Sequence, residues 1–241
     1  MHEYDNVIDL HEIEYKETLY FLHRMIEHFV KFLREQGVTA PEVIFDIGAR
    51  DCQQSVEFAR QYPGARVFAF ECNPQTLPLC RSAIVANPEV TLIPKAVNSF
   101  DGECTFYPIN PQRTITSWED GNPGASSLFR SNGTYPVEHY VQDEVKLPCT
   151  KLSTVMKEHG LTKVDCIWMD LQGAELIALQ SLEEFLPAVK YIYTEVSHRP
   201  IYTGQVMFNE LDTFLSANGF KRATDINLKC WQEDVIYVRS E

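Results

Sequence analysis

Four carboxylates in this chain stand where short apolar runs stop, and carboxylates placed so can grip hydroxyls or move protons. The run Val43-Ile44-Phe45 ends in Asp46, and one residue later comes Gly48. That pattern predicts a buried parallel strand whose carboxyl end spills into a tight turn, with a helix starting near Gln53. In open α/β sheets ligands bind outside the carboxyl ends of the strands, so Asp46 and Gly48 are placed for a ligand. Gly48 would let the backbone approach it, where a Cβ would obstruct. The next strand, Arg66–Phe70, ends in Glu71. An acidic residue about 20 positions after a glycine turn is placed to hold ribose hydroxyls. Further on, Val164–Met169 ends in Asp170, and Tyr191–Val196 carries Glu195 with His198 just beyond it. Those three are the candidate general bases at the same sheet edge. Turn capping by Asp46 and a surface-loop role for His198 are the structural alternatives.

The turn discriminates between nucleoside cofactors. A dinucleotide site calls for G-x-G-x-x-G, because a pyrophosphate needs close backbone approach and a helix N-terminus. Here Arg50 and Cys52 stand where further glycines would be, and a carboxylate opens the turn. An acidic turn repels a diphosphate but suits a sulfonium and an ammonium, which favours S-adenosylmethionine over NAD.

Strands and helices alternate around these residues, as βαβ units require. Between Tyr15 and Gln36, Leu19, Leu22, Ile26, Phe29 and Leu33 recur at helical spacing, with Gly37 as C-cap. That helix is expected to pack on its own domain, to form a dimer seam, or to cover the site as a lid. Helices are expected after the glycine turn through Tyr62, at Gln75–Ala86, Leu152–His159, Ala174–Phe185 and Phe208–Ala217. Further strands are expected at Val90–Ile93, Glu103–Tyr107 and Val145–Leu147, with Phe220–Thr224 and Val235–Val238 as an antiparallel hairpin edge. The alternation breaks at a polar segment from Asn110 to Tyr135, too long to be a plain connection. Trp118, Phe129, Tyr135 and Tyr140 argue for a substrate-facing loop rather than disorder.

The chain has 241 residues, 21 Lys and Arg against 34 Asp and Glu, and a formal charge of −13. Such a surface disfavours nucleic acid and anionic membranes as partners. The seven cysteines form no C-x-x-C pair, which reads as reduced thiols in a cytoplasmic protein. The first residues show neither a basic nor an apolar signal region, and no run approaches the length of a membrane span.

Three motifs in order, Val43-Ile44-Phe45-Asp46-Ile47-Gly48-Ala49, Phe68-Ala69-Phe70-Glu71-Cys72-Asn73-Pro74 and Met169-Asp170-Leu171-Gln172-Gly173-Ala174-Glu175, resemble the FkbM family of class I methyltransferases. Ala125-Ser126-Ser127-Leu128 and Thr194-Glu195 fit the same resemblance, which runs from about Val43 to Val238. It implies a Rossmann-like α/β fold with a seven-stranded, mostly parallel sheet, an antiparallel last strand and helices on both faces. Residues 1–40 would then be a helical extension, lid or interface, and 41–241 the S-adenosylmethionine-dependent methyltransferase domain. The resemblance also implies O-methylation of hydroxyls, on sugars, glycans or polyketide-type products. Carried over by position, Asp46, Gly48, Ala49 and Arg50 would line the methionine part. Glu71, with Cys72 and Asn73, would hold the ribose, and Ala96 and Val97 would approach the adenine. Asp170, Leu171 and Gln172 would sit near the transferring methyl. Two positions depart from the family pattern: Cys52 replaces a frequent glycine, and Gln172 a usual glutamate.

Methyl transfer from a sulfonium needs alignment more than covalent help, with Asp170, Glu195 or His198 available to take a hydroxyl proton. No ligand spacing demands a metal, although the same carboxylates could hold Mg²⁺. A sugar or glycan hydroxyl is the leading acceptor. A polyketide-type metabolite and a non-catalytic binding subunit are the alternatives, and a homodimer through the N-terminal helix stays open.

Overall fold

The structure, a computed structural model, describes residues 26–240. The chain divides between Thr39 and Ala40. Residues 26–35 are helical (α1), with Ile26, Phe29, Val30 and Leu33 buried along one stripe. Gly37, at φ +81°, ends α1 as its periodicity predicts: its N–H donates to the Arg34 carbonyl, and that of Val38 to the Leu33 carbonyl. The remainder of the expected Tyr15–Gln36 helix, and with it most of the lid-or-seam question, lies outside the described residues.

Beyond Ala40 the chain forms a seven-stranded sheet, and why it does so is written in its apolar runs. β1 (Val43–Ile47) and β7 (Val164–Met169) are buried at every position, as central parallel strands covered on both faces must be. β2 (Arg66–Phe70) and β3 (Val90–Ile93) extend the sheet on one side of β1. β8 (Val189–Ser197), β10 (Gln232–Arg239) and β9 (Phe220–Arg222) extend it on the other, giving the order β3-β2-β1-β7-β8-β10-β9. Only β10 runs against the rest, because it pairs antiparallel with both β8 and β9. The two last strands form the expected antiparallel hairpin at this edge, with β10 next to β8 and β9 outermost.

The pleat sends alternate residues to two faces. Phe45, Ile47, Phe70, Ile167, Met169, Ile192, Val235 and Tyr237 face one core, packed with α4 (Leu152–Glu158), α5 (Glu175–Gln180) and α6 (Phe208–Ala217). Asp46, Trp168 and Tyr193 face the other side, where α2 (Gln53–Gln61) lays Ser55 on Asp46 and Phe58 against Trp168. At the opposite, amino end of the sheet, Asp165 accepts the amides of Glu42 (2.8 Å) and Val43 (3.2 Å), fixing where β1 starts beside β7.

Two expected helices are shorter than their periodicity suggests. α3 is Leu77–Ala83 followed by a 3-10 turn, Ile84–Ala86, because Pro78 in its first turn fixes the start. After α5 the chain breaks at Glu183, whose φ is +51°, and continues as a 3-10 turn holding Pro187. The strand expected at Val145–Leu147 runs on to Thr150 as β6. With β4 (Ala96–Val97) and β5 (Gly102–Phe106) it makes a separate three-stranded sheet.

Candidate active site

The carboxyl edge of β1, β2, β7 and β8 gathers most of the expected site residues, though not all in the expected posture. Asp46 is buried and receives the Ser55 hydroxyl, so it braces the turn from below. Burial, with repulsion from Asp51 and Glu71, pushes its carboxyl up to about 7. Gly48 sits at φ +91°, and a Cβ there would stand 1.9 Å from the Asp170 carbonyl oxygen. What obstructs a side chain is thus the neighbouring strand tip, not a ligand. Ala49 is buried, and its N–H and that of Gly48 both donate to the Phe70 carbonyl at 3.0 Å.

Glu71 is the knot of this turn. It accepts the backbone N–H groups of Arg50 (2.7 Å), Cys72 (2.8 Å) and Asn73 (2.6 Å), joining the tips of β1 and β2. Burial drives its carboxyl up to about 7 against those three donors. Cys52 stands at the N-cap of α2 at φ +62°, completely buried, and beside it the Cys80 thiol donates to the Arg50 carbonyl at 3.2 Å. A left-handed residue is what this position needs, so a glycine there would fit the same backbone. Ala96 and Val97 are buried, Ala96 among Cys104, Phe106, Leu147 and Cys149, and offer next to no surface at the edge.

The proton-handling groups meet through an unexpected residue. Met169 pairs with Thr194 in register, which carries Asp170 and Glu195 to neighbouring positions at the edge. Gln172 joins them: its Nε2 donates to Asp170 Oδ1 (2.7 Å) and to Glu195 Oε2 (3.0 Å). Gln172 is itself held at φ +51°, its carbonyl accepting the Ser127 hydroxyl at 2.8 Å. Gln172, placed near the transferring methyl by the resemblance, thus bridges the two carboxylates. The helix start is held by Glu175, which accepts the amides of Leu171 and Gly173.

Asp170 opens to solvent while the walls of the cleft crowd it, and that desolvation raises its carboxyl. Glu195 is pushed well above the ordinary range by burial, then by Asp170, Asp234 and Glu175. Asp234 stands directly opposite Glu195 in the β10–β8 register and is itself pushed up to about 7, first by burial. Gln232 donates its amide to Glu195 at 2.6 Å. Neither residue falls within the expected Val235–Val238 strand; β10 starts three residues earlier, at Gln232.

His198 does not join this group. It lies three positions after Glu195, an odd number, so the pleat sends it to the other face. There its Nε2 meets Glu233 Oε1 at 2.5 Å and its ring lies 5.0 Å from Phe208.

The long loop packs on this edge. Asn73 Nδ2 donates to Ser126 Oγ (3.1 Å), and Arg50 pairs with Asp120 (2.5 Å) beneath the Trp118 ring. The Tyr202 hydroxyl lies 2.7 Å from the Ala125 carbonyl and 3.0 Å from Gln172 Oε1, its single proton serving one at a time. Tyr140 stacks on Tyr202 at 6.1 Å, Tyr135 lies 5.9 Å from Tyr140, and Trp231 meets Tyr135 edge-on at 5.6 Å. An aromatic wall thus stands beside a carboxylate floor.

The family model for the methyltransferase FkbM domain matches residues 46–222, from the first site carboxylate to the end of β9. The chain belongs to the FkbM methyltransferase family. It is thus an S-adenosylmethionine-dependent methyltransferase. This FkbM protein is similar to 2-O-methyltransferase NoeI of Sinorhizobium fredii, 29% identical over 167 residues that make up 68% of this chain and 67% of the relative. It is also similar to methyltransferase sdnD of Sordaria araneosa, 26% identical over 156 residues, 58% of this chain and 60% of that relative. Magnesium protoporphyrin IX methyltransferase from Synechocystis PCC 6803, solved with bound SAM, shares the fold at 11% identity and a TM-score of 0.50. That likeness covers 100% of this chain and 87% of the other. Among the described residues no helix is long and apolar enough to cross a membrane.

Proposed function

We propose that this FkbM methyltransferase methylates a hydroxyl of a sugar or glycan acceptor, with the Asp170–Glu195 pair taking the hydroxyl proton. The observation that carries this reading is the Gln172 bridge, which draws the two carboxylates together beneath the aromatic wall. The residues fit the cofactor by charge. Asp170, Glu195 and Asp234 converge while Arg50 is the cation that eases Asp170, so a sulfonium and an ammonium would restore balance. Glu71 spends three of its roughly four acceptor positions on backbone amides, which leaves one on Oε2 for a ribose hydroxyl.

When bound, S-adenosylmethionine supplies a methyl group on a cationic sulfur, open to in-line attack by an oxygen. This chain's contribution is to align and to deprotonate. Alignment of two partners is worth about 7–11 kcal/mol. Crowding and mutual repulsion raise both carboxylates, which favours sharing of one proton, and the unprotonated member accepts the acceptor's proton. A base raised toward the working pH adds roughly 10²–10⁴-fold. Tyr135, Tyr140 and Trp231 offer flat faces to the C–H side of a sugar ring, and the carboxylates offer acceptors to its hydroxyls. That mixture supports a polar acceptor over a lipophilic polyketide-type one, which would want an apolar floor. The first relative's name, a 2-O-methyltransferase, supports a hydroxyl acceptor.

Two measurements test the reading. Calorimetric titration with S-adenosylhomocysteine is expected to give micromolar binding that Glu71→Ala loses. Label transfer from S-adenosylmethionine to a panel of mono- and oligosaccharides is expected to succeed with at least one, and to fall at least about 100-fold in Asp170→Ala while S-adenosylhomocysteine still binds. Transfer confined to lipophilic acceptors, or full turnover in Asp170→Ala, would overturn it.

A further inference from the structure

The face of β8 and β10 turned away from the carboxylate pair carries a second group of chemically capable side chains. His198, just past β8, Cys230, in the turn before β10, and Glu233, within β10, present Nε2, Sγ and a carboxylate oxygen all within 4.8 Å of one another. We propose that these three residues bind a zinc ion, separate from the methyl-transfer site and serving to fasten the turn at 227–233 to the end of β8.

The donor set points to that metal. A thiolate, an imidazole and a carboxylate together select zinc over magnesium or calcium, which prefer oxygen alone. One thiolate and one carboxylate also balance a divalent ion, so the loaded site would be neutral. The donors are already aimed by their surroundings. Both Glu233 oxygens accept the Asn227 N–H, at 2.9 and 3.1 Å, and the Phe208 ring flanks the His198 imidazole at 5.0 Å. The His198 N–H donates to the Trp231 carbonyl at 2.8 Å, and the Cys230 N–H to the Asn227 carbonyl at 3.1 Å. These two backbone bonds fasten the segments that carry the ligands. In the metal-free site the 2.5 Å contact of His198 with Glu233 is a hydrogen bond, and the Cys230 thiol donates to the Asn227 carbonyl. On binding, the Cys230 proton leaves to solvent, and a neutral His198 ligates through Nε2 with its proton on Nδ1. Three protein ligands leave a fourth position for water. The gain for the enzyme lies in the two intervening side chains. Trp231 belongs to the aromatic wall, and Gln232 donates to Glu195, so immobilising this turn immobilises part of the acceptor chamber.

The test uses the full chain freed of metal by chelation, titrated with Co²⁺ and then with Zn²⁺ against a chromophoric chelator. One Co²⁺ per chain is expected, with a thiolate-to-cobalt charge-transfer band that Zn²⁺ abolishes. The band should vanish in Cys230→Ser, and His198→Ala and Glu233→Gln should each weaken zinc binding about 10–100-fold. Each variant's binding of S-adenosylhomocysteine reports whether it is folded, and that readout does not depend on the metal. A wild-type chain without the band, or a band that survives in Cys230→Ser, would overturn the proposal.

Discussion

Gly48 and Asp170 touch backbone to backbone: the place of a Gly48 Cβ lies 1.9 Å from the Asp170 carbonyl oxygen. The same approach lets the Asp170 N–H donate to the Ile47 carbonyl at 3.0 Å and closes the β1 tip onto the β7 tip. Gly48→Ala must both adopt a positive φ and displace a backbone atom. The cost is expected to exceed about 1–3 kcal/mol. Chemical denaturation should show it as a lowered midpoint, and S-adenosylhomocysteine affinity should fall along with stability. A variant of unchanged stability would mean that the two strand tips are not in contact.

Gln172 keeps two carboxylates together without adding a third. Gln172→Glu restores the residue that the family pattern favours and places another negative charge beside Asp170 and Glu195. A like charge disfavours ionisation, so both groups are expected to titrate at still higher pH. The acid limb of the kcat/KM profile should move upward, with kcat on the plateau little changed. Gln172→Ala instead removes the two donated hydrogen bonds and should lower kcat about tenfold. An unmoved acid limb in Gln172→Glu would show that the pair does not govern turnover.

The pH dependence of stability follows from four carboxyls, three buried and Asp234 half-buried. Asp46, Glu71, Glu175 and Asp234 are each pushed up to about 7, in every case first by burial. In the unfolded chain they titrate near pH 4, so between about pH 4 and 7 the folded state binds more protons. Their contribution is complete below the unfolded values and is lost as pH rises through the folded ones. Asp165 works oppositely: burial raises it, but the Lys190 ammonium and the β1 amides outweigh burial and hold it below the ordinary range. Its contribution fades only as pH falls below about 4. Urea midpoints without cofactor should therefore be higher at pH 5 than at pH 8. A flat or rising profile would contradict the raised carboxyls.

Tyr202 ties the covering loop to the site through one hydroxyl. Tyr202→Phe keeps the ring that stacks on Tyr140 and leaves the Ala125 carbonyl and Gln172 Oε1 without that donor. A buried acceptor without a partner costs about 1–3 kcal/mol. Amide exchange across residues 125–130 is expected to quicken, and KM for the acceptor to rise more than kcat falls. Unaltered exchange would assign the loop's order to Ser127 and Asn73 instead.

The sequence by itself determined the central strands and their polarity. Uncharged runs such as Val43–Phe45 and Cys166–Met169 can only be buried on both faces, and each ends in the carboxylate that marks the ligand edge. The aromatic loop was legible for the same reason, since its composition was wrong for disorder. Tertiary structure decided who meets whom at that edge. That β10 inserts beside β8 depends on sheet order, which no local period encodes, and it brought Asp234 and Gln232 to Glu195. Gln172 became a bridge because its left-handed backbone turns the amide toward two separate strands. His198 was in principle readable, since odd spacing from Glu195 sends it to the opposite face. Its partners, 32 and 35 residues away, were not. Hydrogen-bond and ligand geometry acts over about 3 Å, and only the folded chain sets distances on that scale.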